Sequence, residues 1–65
     1  MTPRLAYRIT DAAEAVGQSP DTIRRAIRAT DPTKFPPPLR AKRDGKGYLI
    51  LAAELERWLS SLKDA

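Results

Sequence analysis

The sequence predicts one small domain over residues 1–65, mainly α with a small β-hairpin. Three observations predict this fold class. Apolar residues recur at helical spacing near residues 20–28 and 52–62. A glycine separates the first two predicted helices, and an Asp-Gly pair lies between two short β-prone segments. A chain of 65 residues buries only about 60% of the surface that its unfolded form exposes, so we expect modest stability.

Composition narrows the function class. The chain has no cysteine and no histidine, so we expect no disulfide, no structural zinc site and no other metal or cofactor. No apolar run approaches the roughly 20 residues that span a bilayer, and the N-terminus lacks the apolar region of a signal peptide. We therefore expect a cytoplasmic protein with no membrane partner. The expected core consists of Leu5, Ile9, Val16, Ile23, Ile27, Phe35, Leu39, Tyr48, Ile50, Leu55, Trp58, Leu59 and Leu62.

The distribution of charge is more informative than the net charge of +4. Between Arg24 and Tyr48 there are eight basic and two acidic residues, a net charge of +6, which leaves −2 for the rest of the chain. Such concentration is typical of nucleic-acid-binding proteins. A membrane surface is a poorer partner, because these residues are not gathered on one long amphipathic helix.

The N-terminal part is expected to begin irregularly over residues 1–6 and to form a brief edge strand over 7–9. Thr10 is then expected to cap a helix over residues 11–16. Gly17 ends this helix in the manner of a left-handed C′ residue.

The second helix has a clear start. Ser19 is a good N-cap, and Pro20 occupies the first helical position, where a missing N–H is tolerated. We expect the helix to end near Thr30, because Asp31 precedes Pro32. Its apolar side holds Ile23, Ala26 and Ile27, and its other side holds Asp21, Arg24, Arg25 and Arg28.

Two short helices joined by one glycine turn form a helix-turn-helix pattern. The alternative is an αα-corner in an unrelated bundle. The arginine side of the second helix suits the major groove of DNA, which admits a helix. The alternative is an ordinary solvated face.

The next segment, residues 32–38, is expected to be extended and stiff because of its prolines. We expect Phe35 to fill the core from this segment. Binding of the three prolines to an SH3-like partner is the less favoured alternative.

Residues 39–43 and 47–50 are expected to form a hairpin around Asp44, Gly45 and Lys46. Its cations suit contact with phosphates or a minor groove; the alternative is a solvated tip whose lysines protect an edge strand. The last helix is expected over residues 52–62, with Trp58 in the core. The order of elements is that of a winged helix-turn-helix.

The chain resembles the phage excisionases, or recombination directionality factors, within the MerR-like winged helix-turn-helix group. The matching residues are YRIT at 7–10, Ala12 and Ala13, VGQSPDTIRR at 16–25, Gly47 and Tyr48, Ile50, and LERWL at 55–59.

The resemblance implies double-stranded DNA as partner, bound cooperatively by adjacent copies on repeated attachment-site sequences. The bound DNA is bent, phage integrase performs excision, and integration is disfavoured, all in the bacterial cytoplasm. A direct integrase contact is a further possible partnership. The implied recognition-helix residues are Ser19, Asp21, Thr22, Arg24, Arg25 and Arg28, and the implied wing residues are Arg40, Lys42, Arg43 and Lys46.

Three features depart from that family. Ala26 stands where tryptophan is common, which we expect Phe35 to compensate, and Leu49 stands where arginine is common. The given sequence stops at Ala65, so we expect no effector domain and no small-molecule ligand.

Two other functions are compatible with these residues. The first is a small stand-alone helix-turn-helix transcription regulator, and the second is an antitoxin-like interaction protein that does not touch DNA. We do not expect an enzyme, since the sequence holds no evident catalytic constellation and Gly45–Gly47 is too short for a P-loop.

Overall fold

The computed structural model describes residues 4–62; residues 1–3, part of the expected irregular start, and residues 63–65 lie outside the described residues. The described part contains three helices and a three-stranded antiparallel sheet, an arrangement compatible with a helix-turn-helix followed by a wing. The elements are β1 (Ala6–Tyr7), α1 (Ile9–Val16), α2 (Pro20–Arg28), β2 (Lys42–Asp44), β3 (Gly47–Leu51) and α3 (Ala52–Ser61).

The sheet has the order β1-β3-β2, so the expected N-terminal edge strand is present beside the hairpin. In β1, Tyr7 pairs with Ile50, and in β2, Arg43 pairs with Tyr48. The first strand of the hairpin is shorter than expected. It begins at Lys42 because the N–H of Leu39 donates to the carbonyl of Ala26 (2.9 Å), outside the sheet.

Helix α1 begins two residues before its expected start. Its N-cap is Arg8, whose backbone is extended and whose side chain makes no capping bond. Thr10 lies inside the helix, so the prediction that it caps α1 was wrong. The reason is the pairing of β1, which fixes the chain up to Tyr7 and lets the helix follow at once. The helix ends at Gly17 as predicted, with φ of +73°.

Helix α2 begins as predicted and ends two residues early. The N–H of Thr22 donates to Ser19 Oγ (3.2 Å), and Pro20 is the first helical residue. Ile23 and Ala26 are fully buried, which confirms the apolar face. The helix ends at Arg28 because Ala29 is already extended.

The core lies between the helices and the sheet, and four of its expected members are outside it. Tyr48 is half-buried on the hairpin, with the Arg43 guanidinium over its ring, and the other three are exposed. Leu5 is 85% exposed, Phe35 59% and Leu59 45%. Phe35 therefore does not compensate for Ala26; Leu39, hydrogen-bonded to Ala26 and buried, lies there instead. The buried apolar residues are Ala12, Ala13, Ile23, Ala26, Leu39, Ile50, Leu55 and Trp58.

Trp58 is a core residue as predicted, and it also holds the proline-rich segment. Its indole N–H donates to the carbonyl of Pro37 (2.7 Å). Pro36 is buried, whereas Phe35 is exposed. The bond between Phe35 and Pro36 is cis. None of the helices within residues 4–62 is long and apolar enough to cross a membrane.

Candidate nucleic-acid interface

The arginine face of α2 consists of Arg24, Arg25 and Arg28, and all three are exposed. They lie there because Ile23 and Ala26 hold the opposite side of the helix in the core. None of the three forms a salt bridge with a carboxylate among residues 4–62. The arginine face therefore presents three guanidinium groups, none of them ion-paired within residues 4–62, to an external anion.

The N-terminal end of α2 holds the other three predicted recognition residues, Ser19, Asp21 and Thr22. Several of their hydrogen-bonding groups already bond one another, which the sequence did not show. The hydroxyls of Ser19 and Thr22 hydrogen-bond each other (2.9 Å), and the Thr22 N–H is taken by the cap. Pro20 has no N–H to offer. Asp21 is exposed and adds a negative charge. This end of the helix has few free donors for a phosphate, and one hydroxyl hydrogen remains for an external acceptor.

The tip of the hairpin is a turn at Gly45 and Lys46, closed by Asp44. One carboxylate oxygen of Asp44 accepts the N–H of Lys46 (2.9 Å), which is an Asx-turn. The glycine that needs a positive φ is Gly47 (+128°), a backbone conformation that a side chain would strain. The turn therefore presents the Lys46 side chain, which is exposed, at the end of the hairpin.

Arg43 is held against an aromatic ring. Its guanidinium lies 5.1 Å from the ring centroid of Tyr48, its cross-strand partner. Such a contact restrains the side chain and leaves its charge in place. Arg43 is thus oriented along the hairpin surface.

An open depression of about 760 Å³ joins the end of α2 to the hairpin. Its apolar lining includes Ile27, Leu39 and Tyr48, and Glu54 is its one carboxylate. That carboxylate faces Arg57 at 3.7 Å. The cations that line the depression are Arg28, Arg40, Lys42 and Arg43.

This depression brings together four of the predicted site residues, one from α2 and three from the hairpin strand and the segment before it. Arg24 and Lys46 are not part of its lining. Arg24 lies one helical turn before Arg28, on the same face, because residues four apart are neighbours on a helix. The arginine face therefore leads into the depression.

An ion pair that fixes the hairpin was not predicted from the sequence. The guanidinium of Arg8 donates to both carboxylate oxygens of Asp44, at 2.6 and 3.0 Å, and to the carbonyl of Tyr48 at 3.2 Å. This hydrogen bond from Arg8, with the N–H of Lys46, lowers the pKa of Asp44 to about 2. The same hydrogen bond raises the pKa of Arg8. No local pattern predicts a pair separated by 36 residues.

Arginines elsewhere in the described part of the chain are paired. Arg4 contacts Asp11 at 3.4 Å, and Arg57 contacts Glu54 at 3.7 Å. Within residues 4–62, the cations without a carboxylate partner are therefore, apart from Lys34, those of the arginine face, those of the hairpin and Arg40 just before it.

A scan against protein-family models and searches of the curated proteins and of the solved structures found no match for this chain. The function proposed below follows from the residues and their arrangement.

Proposed function

We propose that this chain is a sequence-specific DNA-binding protein with the winged helix-turn-helix fold. In this proposal α1 and α2 are the helix-turn-helix, α2 is the recognition helix, and the β2–β3 hairpin is the wing. The observation that carries it is the continuity of charge: the unpaired arginine face of α2 leads through Arg28 into the depression lined by Arg40, Lys42 and Arg43.

The mechanism follows from the chemistry of these side chains. A helix fits the major groove, where an arginine can donate two hydrogen bonds to one guanine, a contact worth about 1–3 kcal/mol of discrimination. Arg24 and Arg25 are free for this role. Asp21 can accept a hydrogen bond from the amino group of cytosine.

The hairpin supports contacts of another kind. Arg28, Arg40, Lys42 and Arg43 line a concave surface, so a stretch of phosphate backbone can lie among them. Lys46 at the exposed tip extends this contact to the next phosphate or into the minor groove. Such contacts fix the position of the protein on DNA and make binding depend on salt.

The biological role that we propose is that of an excisionase in the bacterial cytoplasm. A domain with one recognition helix makes few base contacts and binds weakly alone, so neighbouring copies on repeated sites supply the rest of the affinity. Bending of the DNA by such an array would allow phage integrase to carry out excision. The resemblance to excisionases and the small number of residues available to contact bases support this role.

A selection from a random-sequence duplex pool tests the DNA-binding proposal and identifies the site. We expect one enriched motif, bound at least a thousandfold more tightly than random duplex. Titration of duplexes with one, two and three copies of the motif then tests cooperativity. Equal affinity per site in all three would contradict binding by adjacent copies.

An excision assay separates the two possible roles of a DNA-binding protein. Purified integrase and DNA carrying the attachment sites are incubated with and without this chain. Excision that depends on the chain supports the excisionase role. Unchanged recombination, together with repression from a promoter carrying the selected motif, would identify a transcription regulator instead.

A further inference from the structure

We propose that Arg8 is a positioning residue for the wing: through Asp44 it fixes the hairpin tip so that Lys46 is held in place for DNA. This inference rests on the proposed DNA-binding function. Arg8 itself needs no contact with DNA for this role.

The geometry of the pair carries the inference. Arg8 follows β1, an edge strand, whereas Asp44 ends β2, the other edge strand, so the side chain of Arg8 spans the middle strand. It makes a bidentate contact with the Asp44 carboxylate and also binds the Tyr48 carbonyl of that middle strand. Two donors on one planar guanidinium fix direction as well as distance.

Asp44 passes this constraint to the tip. The oxygen of Asp44 that receives the 3.0 Å bond from Arg8 also accepts the N–H of Lys46. The carboxylate thus joins the body of the domain on one side and the turn on the other. Rotation of Asp44 away from Arg8 would release the turn that presents Lys46.

The location of Arg8 explains why this constraint matters for the site. Arg8 is the N-cap residue of α1, and α1 packs against α2, which carries the arginine face. The ion pair therefore connects the helical pair directly to the hairpin tip. The base of the hairpin has a separate connection, the hydrogen bond from Leu39 to Ala26.

A stability role alone does not account for the pair. The Arg8 and Asp44 side chains are 41% and 38% exposed, and exposed ion pairs contribute little to folding. Moreover, Arg8 does not stabilise α1 as a side-chain cap, since a guanidinium has no acceptor for the free N–H groups of the first turn. Beyond that small contribution to stability, the pair fixes the placement of the hairpin tip.

Double-mutant cycles test the inference on the full chain. The dissociation constant for a 30-bp random-sequence duplex is measured at 0.1 M salt, with and without Lys46→Ala, in three backgrounds: unaltered, Arg8→Ala and Asp44→Asn. We expect Lys46→Ala to weaken binding five- to tenfold in the unaltered chain, about the effect of one phosphate contact. In the other two backgrounds the factor should fall below about twofold. Equal factors in all three would overturn the inference.

Two controls separate positioning from other effects. Arg24→Ala should weaken binding by the same factor in every background, since α2 does not depend on the pair. Asp44→Asn makes the chain more positive, so a purely electrostatic effect would leave the Lys46 factor unchanged or larger. A parallel loss at Arg24 and Lys46 would indicate general unfolding and would contradict a role confined to the wing.

Amide exchange at Lys46 distinguishes failure of this inference from failure of the proposed function. Arg8→Ala should accelerate exchange of the Lys46 N–H several-fold and leave the amide of Ile23 unchanged. If the unaltered chain does not bind duplex DNA, the proposed function fails and the positioning role fails with it. If the unaltered chain binds DNA, but Arg8→Ala changes neither the loss of affinity caused by Lys46→Ala nor the exchange rate of the Lys46 N–H, only the inference fails.

Discussion

Helix α2 and the β2–β3 hairpin carry the two halves of the same cationic surface, but they are held in different ways. The position of α2 follows from local chemistry: a serine cap, a proline at the first position and an apolar face. The hairpin has a local turn, yet its placement depends on contacts with residues far away in sequence, namely Arg8 at its tip and Ala26 at its base. Substitutions should therefore affect α2 locally and the hairpin through distant partners.

The largest expected effect on the free energy of unfolding comes from the side chain that packs α2 against the core. Ile23→Ala should reduce the free energy of unfolding by about 2–5 kcal/mol, since Ile23 is fully buried and its loss leaves a cavity. For a domain of this size such a loss leaves much of the chain unfolded. Urea denaturation followed by circular dichroism measures it. Arg25→Ala, on the exposed face, is the matched control and should change stability by less than about 0.5 kcal/mol.

A smaller effect is expected where the proline-rich segment meets α3. Trp58→Phe preserves most of the ring but removes the indole N–H that donates to the Pro37 carbonyl. We expect a loss of about 1–2 kcal/mol, because that carbonyl is left without its donor. If Trp58→Phe accelerates amide exchange more at Leu39 than at Thr22, the effect lies in the segment that leads to the hairpin and not in α2. Equal acceleration at both amides would contradict the distinction between the two regions.

The cap of α2 is a local contact, in contrast to the long-range hydrogen bond between Trp58 and Pro37. Ser19→Ala should reduce the free energy of unfolding by about 1 kcal/mol, since it removes the acceptor of the Thr22 N–H. Ser19→Asp restores an acceptor and serves as the matched control. Chemical denaturation of the three proteins measures the series. A loss in Ser19→Asp as large as that in Ser19→Ala would show that the cap is not the cause.

The smallest effect concerns acid. The pKa of Asp44 is about 2 in the folded protein, against an ordinary value of about 3.9, so the pair stabilises the fold fully above pH ~4. As the pH falls from about 4 to about 2, the unfolded chain takes up the proton first and this contribution is lost. Unfolding curves across that range should show a shallower decline for Asp44→Asn than for the unaltered chain.

Asp31 provides a control for the acid measurement. Its pKa is also lowered, by the hydroxyl and then the N–H of Thr33, in the loop after α2. The amide signal of Lys46 should follow the protonation of Asp44, which accepts its N–H, and Asp31→Asn should leave that titration unchanged. Loss of that titration in Asp31→Asn, rather than in Asp44→Asn, would contradict the assigned partnership of Asp44.

The same contrast explains how much the sequence could predict. The faces of α2, its cap, the glycine end of α1 and the hairpin all follow from neighbouring residues, and the structure confirms them. Phe35, by contrast, was expected in the core on hydrophobicity alone. Its orientation depends on Trp58 holding Pro37 and Ala26 holding Leu39, which are contacts that no local pattern reveals.

Predictions at the site divide in the same way. The exposure of the arginine face could be predicted, because helical periodicity determines which residues face away from the core. The partnership of Arg8 and Asp44 could not be predicted, since it requires the order of the strands in the sheet. The start of α1 at Ile9, instead of after Thr10, likewise depends on the pairing of β1 with β3.

The salt dependence of DNA binding tests the central claim most directly. The unaltered chain is compared with the triple variant Arg24→Ala, Arg25→Ala, Arg28→Ala and with a control, Arg4→Ala, Lys34→Ala, Arg57→Ala, that removes the same charge elsewhere. On a random-sequence duplex, where Arg24 and Arg25 lack their guanines and can contact phosphates as Arg28 does, the slope of log affinity against log salt should fall by up to about 3 in the first variant, roughly 0.9 for each phosphate that is no longer neutralised. It should fall by less than about 1 in the control. Equal slopes in all three folded proteins would contradict a DNA-binding role for α2.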